Sequence, residues 1–211
     1  MKAGRIAVVD YGMGNIHSIL KALRIYHPDT VFTSDRSELE KADALVLPGD
    51  GAFAAAMRHL RGGLEETLRR HVELKKPLLG VCIGFQILFN DSDETHSSES
   101  AGEIVPGLGI LPGKIRRFTF ADSSLRVPHM GWNSLVKTAG SFVNLENHYV
   151  YFIHSYRAVD VPEKNVAAWC RYGDDTFPAA VEKDGTLAVQ FHPEKSDKVG
   201  LSIIEKWIQA A

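Results

Sequence analysis

The sequence predicts a single α/β domain: a largely parallel central sheet flanked by helices on both faces, plus a smaller mixed or antiparallel sheet. Three observations carry that prediction. The chain has 211 residues with 45% hydrophobic content, enough to bury one good core, so one domain over residues 1–211 is expected. In the first half, short fully apolar runs alternate with stretches of helical period, the pattern of parallel strands covered on both sides. After "DSDETHSSES" the strand-like runs follow one another directly, as in mixed or antiparallel sheet.

The first predicted strand is "IAVV", Ile6 to Val9, and the following Ile16, Ile19, Leu20 and Leu23 share one helical face. "ALVL", Ala44 to Leu47, repeats the strand, and Leu64, Leu68 and Val72 line one side of a helix. "PLLGV" then feeds a further helix expected at Phe85 to Phe89. In the second half, strands are expected at "GKIRRFTF", "YVYFIHSYRAV", "VAAWCRYG" and "AAVEKDGTLAVQF", the last broken by an Asp184-Gly185 hairpin signal. A closing helix carries Val199, Ile203, Ile204, Trp207 and Ile208 on one face, and no internal repeat or low-complexity linker interrupts the whole.

Charge excludes whole classes of partner. Lys and Arg number 24 against 26 Asp and Glu, a formal net charge of −2, and no basic stripe suits nucleic acid or a membrane surface. There is no cationic-then-apolar leader at Met1 and no uninterrupted apolar span approaching roughly 18 residues. These features predict a soluble, cytoplasmic chain with reduced thiols at Cys82 and Cys170, the latter in the core. "GMGNIH" suggests a dinucleotide loop, but His17 stands where the third glycine should be, and the histidines lack metal-ligand spacing. No metal and no cofactor are expected.

Chemistry concentrates in "LLGVCIGFQILF". Gly80 and Gly84 stand two residues either side of Cys82, as a nucleophile on a tight strand-to-helix turn requires. The following helix N-terminus favours thiolate, and the backbone N–H of Ile83 would face a developing oxyanion. A small buried hydrophobe accounts for Cys82 equally well on this motif alone. "VQFHPEK" supplies a base: His192 and Glu194 lie two apart and leave the same face of an extended backbone, so Glu194 can orient His192. An ordinary surface turn explains that triplet by itself; the two motifs together favour a triad. In "VLPGDGAF", Gly49, Asp50 and Gly51 follow an apolar strand and leave N–H groups for a second oxyanion donor.

Taken in order, "PGDG", "GVCIGFQ" and "FHPEK" resemble the class I (triad) glutamine amidotransferases across nearly the full chain. Within that family, "DYGMGN", "VPHMGWN" and "YFIHSYR" resemble the glutaminase subunits of imidazole glycerol phosphate synthases. The resemblance implies a flavodoxin-like fold and hydrolysis of L-glutamine to glutamate and ammonia through a thioester on Cys82. His192 would move the proton and Glu194 hold the imidazole. It also implies substrate contacts from Gln86, Glu94, His154, Ser155 and Tyr156. Asn15, the loop carrying Trp132, and Lys195 would dock a barrel-shaped cyclase subunit, in a heterodimer, that uses the ammonia in histidine biosynthesis. A chain of this size has no room for a synthase domain of its own.

Other readings remain at this stage. The same chemistry could serve an anthranilate or aminodeoxychorismate synthase, against which "VPHMGWN" argues; a catalytically idle binding subunit is opposed by the intact triad, and a cysteine peptidase would ignore glutamine. Asp50 is out of place beside an oxyanion, because a carboxylate aimed there would oppose the developing charge. Its side chain is therefore expected to turn away, leaving only the backbone N–H of Asp50 or Gly51 to face inward after a peptide flip that the glycines permit.

Overall fold

The computed structural model describes residues 4–95, 103–121, 124–142 and 146–211. Strands β1 (Ile6–Val9), β2 (Val31–Thr33), β3 (Ala44–Leu47) and β4 (Leu78–Val81) pair in parallel in the order β2-β1-β3-β4. Every residue of β1, β3 and β4 is buried, because alternate side chains feed two different cores. Ile6, Val8 and Val46 pack with Ile19 and Leu23 of α1 (Ile16–Tyr26) and with Ile203, Ile204 and Trp207 of the closing helix, Asp197–Ala210. Ala7, Val9 and Leu45 face the opposite layer, where α2 (Arg36–Glu40), α3 (Phe53–Leu60) and α4 (Leu64–Glu73) contribute Leu39, Met57 and Leu68. The sequence reading missed β2, α2 and α3. The first two are too short for periodicity to show, and α3 is rich in alanine, whose small side chain marks no face.

Two corrections concern element boundaries. Helix α5 spans Ile83–Gln86, not Phe85 to Phe89: it starts at once after Cys82, and Leu88 and Phe89 donate to carbonyls three residues back in a tightened turn. The second sheet, of order β10-β7-β5-β6, joins β5 (Asp91–Ser92), β6 (Val105–Pro106), β7 (Lys114–Arg117) and β10 (Tyr156–Val159), and its pairings are mixed. Strand β7 is shorter than "GKIRRFTF" predicts.

The remaining strands extend the main sheet. Strand β13 (Thr186–Val189) lies parallel to β4, and β12 (Asp175–Lys183), β11 (Val166–Tyr172), β8 (His129–Thr138) and β9 (Tyr149–His154) follow antiparallel, making nine strands. The hairpin between β12 and β13 turns at Asp184 and Gly185, both at positive φ (49° and 84°) as the dipeptide predicts.

"YVYFIHSYRAV" is not one strand. It breaks at Ser155, where the chain leaves the main sheet for the second, so Ser155 lies at the seam between them. "VPHMGWN" is not a loop either: from His129 onward it is the start of β8. Its polarity misled because β8 and β9 form a ribbon at the sheet's edge, with one face outward.

Candidate active site

Three loops leave the carboxyl ends of β3, β4 and β13, where ligands bind in open parallel sheets. They carry Gly49 to Gly51, Cys82 and His192, respectively. Cys82 ends β4 at φ 55°, a left-handed conformation that costs a non-glycine residue of order 1–3 kcal/mol and is held here by its surroundings. Its N–H donates to the Val189 carbonyl at 2.9 Å and its carbonyl accepts from Gln86 N–H at 3.1 Å, locking the turn between sheet and helix. The flanking glycines are sterically required. A Cβ on Gly84 would collide with the Leu47 carbonyl oxygen, and one on Gly80 would stand 2.9 Å from the Gly84 carbonyl oxygen. Ile83 opens α5, so its N–H has no acceptor within the helix.

His192 and Glu194 come together, but not on the extended backbone their spacing suggests: Glu194 lies in the short helical turn Pro193–Lys195 that follows His192. His192 Nδ1 lies 2.8 Å from Glu194 Oε1, and the side chains are 5% and 3% exposed, so the pair is shielded from water and salt. Nε2 is buried without a hydrogen-bond partner, facing the Cys82 side chain, which is close enough to act on it. Burial opposes a charge on the ring, but Cys82 and Glu194 together outweigh it and raise the imidazole to about 10. The backbone of His192 is clamped to β9: its N–H donates to the Tyr151 carbonyl at 2.9 Å. Ser196 Oγ donates to the His192 carbonyl at 2.6 Å while accepting from Tyr151 N–H.

A cavity of about 270 Å³ opens beside the cysteine. Asp50, Gly51, Cys82, Ile83, Gln86, Glu94, His154, Ser155, Tyr156 and His192 all line it, so ten of the residues singled out in the sequence converge on one space. Gly49 and Glu194 are not on its wall. Gly49 lies behind, where a Cβ would strike the Tyr11 hydroxyl and the Ile83 side chain, and Glu194 stands behind His192. Asp50 is exposed at the rim and Gly51 sits at φ 90°.

Gln86 is buried, and its Nε2 donates to the Gln190 Oε1 at 2.9 Å and the Tyr156 carbonyl at 3.2 Å. Its Oε1 has no partner. Glu94 Oε2 accepts the Phe53 N–H at 2.8 Å, capping α3, and burial raises its carboxyl above the usual range despite that bond.

Sequence reasoning missed Tyr11, Pro128 and Ile153. The last two complete the cavity wall. The Tyr11 hydroxyl donates to the Pro48 carbonyl at 2.6 Å and holds the Gly49 to Gly51 loop in place; burial first, then Cys82 and Asp50, push its ionisation far up, so it stays a donor. "DYGMGN" was the available signal, because Gly14 and Met13 in it pack directly on Gly49 and Gly51.

Asn15, Trp132 and Lys195 are exposed. Asn15 precedes α1, Trp132 lies on β8, and Lys195 lies in the short helical turn Pro193–Lys195, against which α1 and β9 both pack. Trp132 is 52% exposed, so it is no part of the core. On the ribbon's outer face Met130 pairs with Ile153 and Trp132 with Tyr151.

A strained thiol beside a shielded imidazole and carboxylate, at the strand ends of an α/β sheet, suits acyl transfer through a covalent cysteine intermediate. The chain belongs to the family whose model is described as glutamine amidotransferase class-I, which matches residues 7–210. It is 42% identical to the imidazole glycerol phosphate synthase subunit HisH of Synechococcus sp. (strain JA-3-3Ab), covering 99% of this chain and 95% of that one. It is 43% identical to the subunit of the same name from Nostoc punctiforme (strain ATCC 29133 / PCC 73102), over 96% of this chain and 94% of that one. A crystal structure of a glutamine amidotransferase superposes with a TM-score of 0.73 at 23% identity, over 99% of this chain and 100% of that one. Among the described residues no helix is long and apolar enough to cross a membrane.

Proposed function

We propose that the chain is the glutaminase subunit of an imidazole glycerol phosphate synthase, hydrolysing L-glutamine and passing the ammonia to a cyclase subunit. The observation that carries this reading is the convergence of Cys82 and His192, the latter backed by Glu194, on a cavity that also presents Gln86 and Glu94. The names of relatives at 42% and 43% identity supply the particular synthase.

The geometry supports a definite sequence of steps. His192, whose imidazole is raised to about 10, already holds at neutral pH the proton drawn from Cys82, and the sulfur attacks the glutamine side-chain amide carbon. The oxyanion is held by the Ile83 N–H and a loop N–H at Asp50 or Gly51, each such donor contributing roughly 3 kcal/mol. As the intermediate collapses, the C–N bond breaks, His192 returns the proton to the departing nitrogen, and a thioester remains. Water, deprotonated by His192, then releases glutamate. The substrate's ammonium group suits Glu94, and the free Gln86 Oε1 accepts a substrate N–H. His154, Ser155 and Tyr156 complete the lining on which the substrate would lie.

Asp50→Asn is expected to keep the stimulated rate within a few-fold. Gly51→Pro, which cannot adopt φ 90° and removes an N–H, lowers it roughly 100-fold or more. Steady-state rates of the two variants check this, and a large gain in Asp50→Asn would show the carboxylate facing the oxyanion.

The docking surface in this reading is the outer face of β8 and β9 with Lys195 and Asn15. Exposed apolar side chains in a row on an edge ribbon are the usual mark of an interface. Trp132→Ala should weaken the cyclase complex by roughly tenfold or more while leaving the isolated subunit folded. Lys195→Ala should lose stimulation; titration calorimetry and circular dichroism read both outcomes. The reading as a whole is tested by glutamine hydrolysis with and without a cyclase subunit and its ribonucleotide ligand. A low basal rate that rises by orders of magnitude is expected, and indifference to the cyclase would overturn it.

A further inference from the structure

Beneath the outward face of the ribbon, two buried histidines stand directly opposite each other, His129 on β8 and His154 on β9. His154 lines the cavity; the steps proposed above use neither ring. The hydrogen bonds around them have only one consistent polarity. The Tyr156 carbonyl can only accept, so His154 Nδ1, 2.8 Å away, carries the proton and Nε2 is an acceptor. His129 Nδ1, 3.0 Å from that Nε2, must then carry its own proton, which makes His129 Nε2 an acceptor in turn. Asn133 Nδ2 meets it at 3.2 Å. The orientation of that amide is set by the Arg171 carbonyl, which accepts from the same Nδ2 at 2.9 Å, and by the Ser134 N–H, which donates to Oδ1 at 2.8 Å.

We propose that Asn133, His129 and His154 form a one-way hydrogen-bond chain from the docking ribbon to the cavity wall, and that His129 is thereby a positioning residue for glutamine binding. The inference rests on the glutaminase reading given above. The chain ends on the Tyr156 carbonyl, which also accepts Gln86 Nε2 at 3.2 Å. Fixing that carbonyl fixes the Gln86 amide and leaves its unpartnered Oε1 for the substrate.

The surroundings keep both rings neutral, as the chain requires. His129 is stacked on Tyr172 and Phe152, with centroids 4.1 and 4.8 Å away, and Phe118 and Phe177 each stand 5.2 Å from His154. Burial first, then the charges that His129, His192 and Arg157 can carry, outweigh the Tyr156 carbonyl and hold His154 down to about 3, and burial alone holds His129 down to about 4. Among the described residues no carboxylate bonds to either ring.

The test uses the glutaminase–cyclase complex, with glutamine-driven and ammonium-driven synthesis measured side by side. His129→Phe keeps the aromatic packing and removes the donor. It should raise the KM for glutamine about tenfold with kcat within about twofold, and leave ammonium-driven synthesis unchanged. His129→Asn, whose Nδ2 takes the place of Nδ1, should bring KM back to within about threefold of the parent. Asn133→Asp, which faces His129 with an acceptor and forces the chain to reverse, should match the His129→Phe defect, whereas Asn133→Ala should stay within about threefold. Nitrogen-15 spectra of the parent at pH 7 should show both rings neutral and protonated at Nδ1. Unchanged KM in His129→Phe and Asn133→Asp, a loss confined to kcat and thermal stability, or a different tautomer in the spectra would each overturn the positioning role alone. A parent complex that makes product from ammonium but never from glutamine would overturn the glutaminase reading and this role with it.

Discussion

Cys82→Ala is expected to abolish glutamine-driven synthesis, by on the order of 10⁶-fold, the scale for losing the nucleophile of a triad, while the complex still makes product from added ammonium salt. The division follows from the structure. Cys82 reaches its left-handed backbone through the steric fit of Gly80 and Gly84 rather than through its own side chain, so alanine at 82 preserves the elbow and the fold around it. The docking ribbon lies on other strands. Parallel assays with the two nitrogen sources check this, and loss of the ammonium-driven reaction in a folded complex would show that residue 82 does more than attack.

Glu194→Gln is expected to lower glutamine turnover roughly 10³- to 10⁴-fold, with its signature in pH dependence. A glutamine can present its amide nitrogen to His192 Nδ1 and so favour the wrong tautomer, and it removes one of the two groups that raise the imidazole to about 10. The imidazole's ordinary value is 6.5, so below that it is protonated folded or unfolded and its contribution to stability is full. As pH rises from 6.5 through about 10 the unfolded chain loses the proton first, and stability falls across that window. In Glu194→Gln the decline should end at lower pH. Urea unfolding of both proteins between pH 6 and 10 measures it, and superimposable curves would show that Glu194 does not hold the charged ring.

What could be read from the sequence was set by how local the signal was. Strands β1, β3 and β4 were visible because burial on both faces leaves no polar residue in them, and the elbow because its steric demand falls two residues either side of one cysteine. The pairing of His192 with Glu194 was equally local. By contrast, the start of β8 reads as a loop because Gly131 and the exposed Trp132 break the pattern expected of an inner strand, whereas β9 is legible within "YVYFIHSYRAV". The split at Ser155 was invisible, since alternation continues through it while the chain changes sheets. Tyr11 and His129 act through partners 37 and 25 residues away, and no spacing rule connects them to the site.

The most direct test of the account supplies the reconstituted complex with glutamine labelled with nitrogen-15 at the side-chain amide, in the presence of excess unlabelled ammonium, and reads the isotope in the cyclase product by mass spectrometry. If ammonia released at Cys82 passes to a cyclase docked on the ribbon, the product carries the glutamine label well above the ratio in bulk solution, and Cys82→Ala removes that excess. Product with the isotope ratio of the bulk ammonium in the parent complex would mean that the ammonia escapes before use, contradicting the assignment of this chain as a channelling glutaminase subunit.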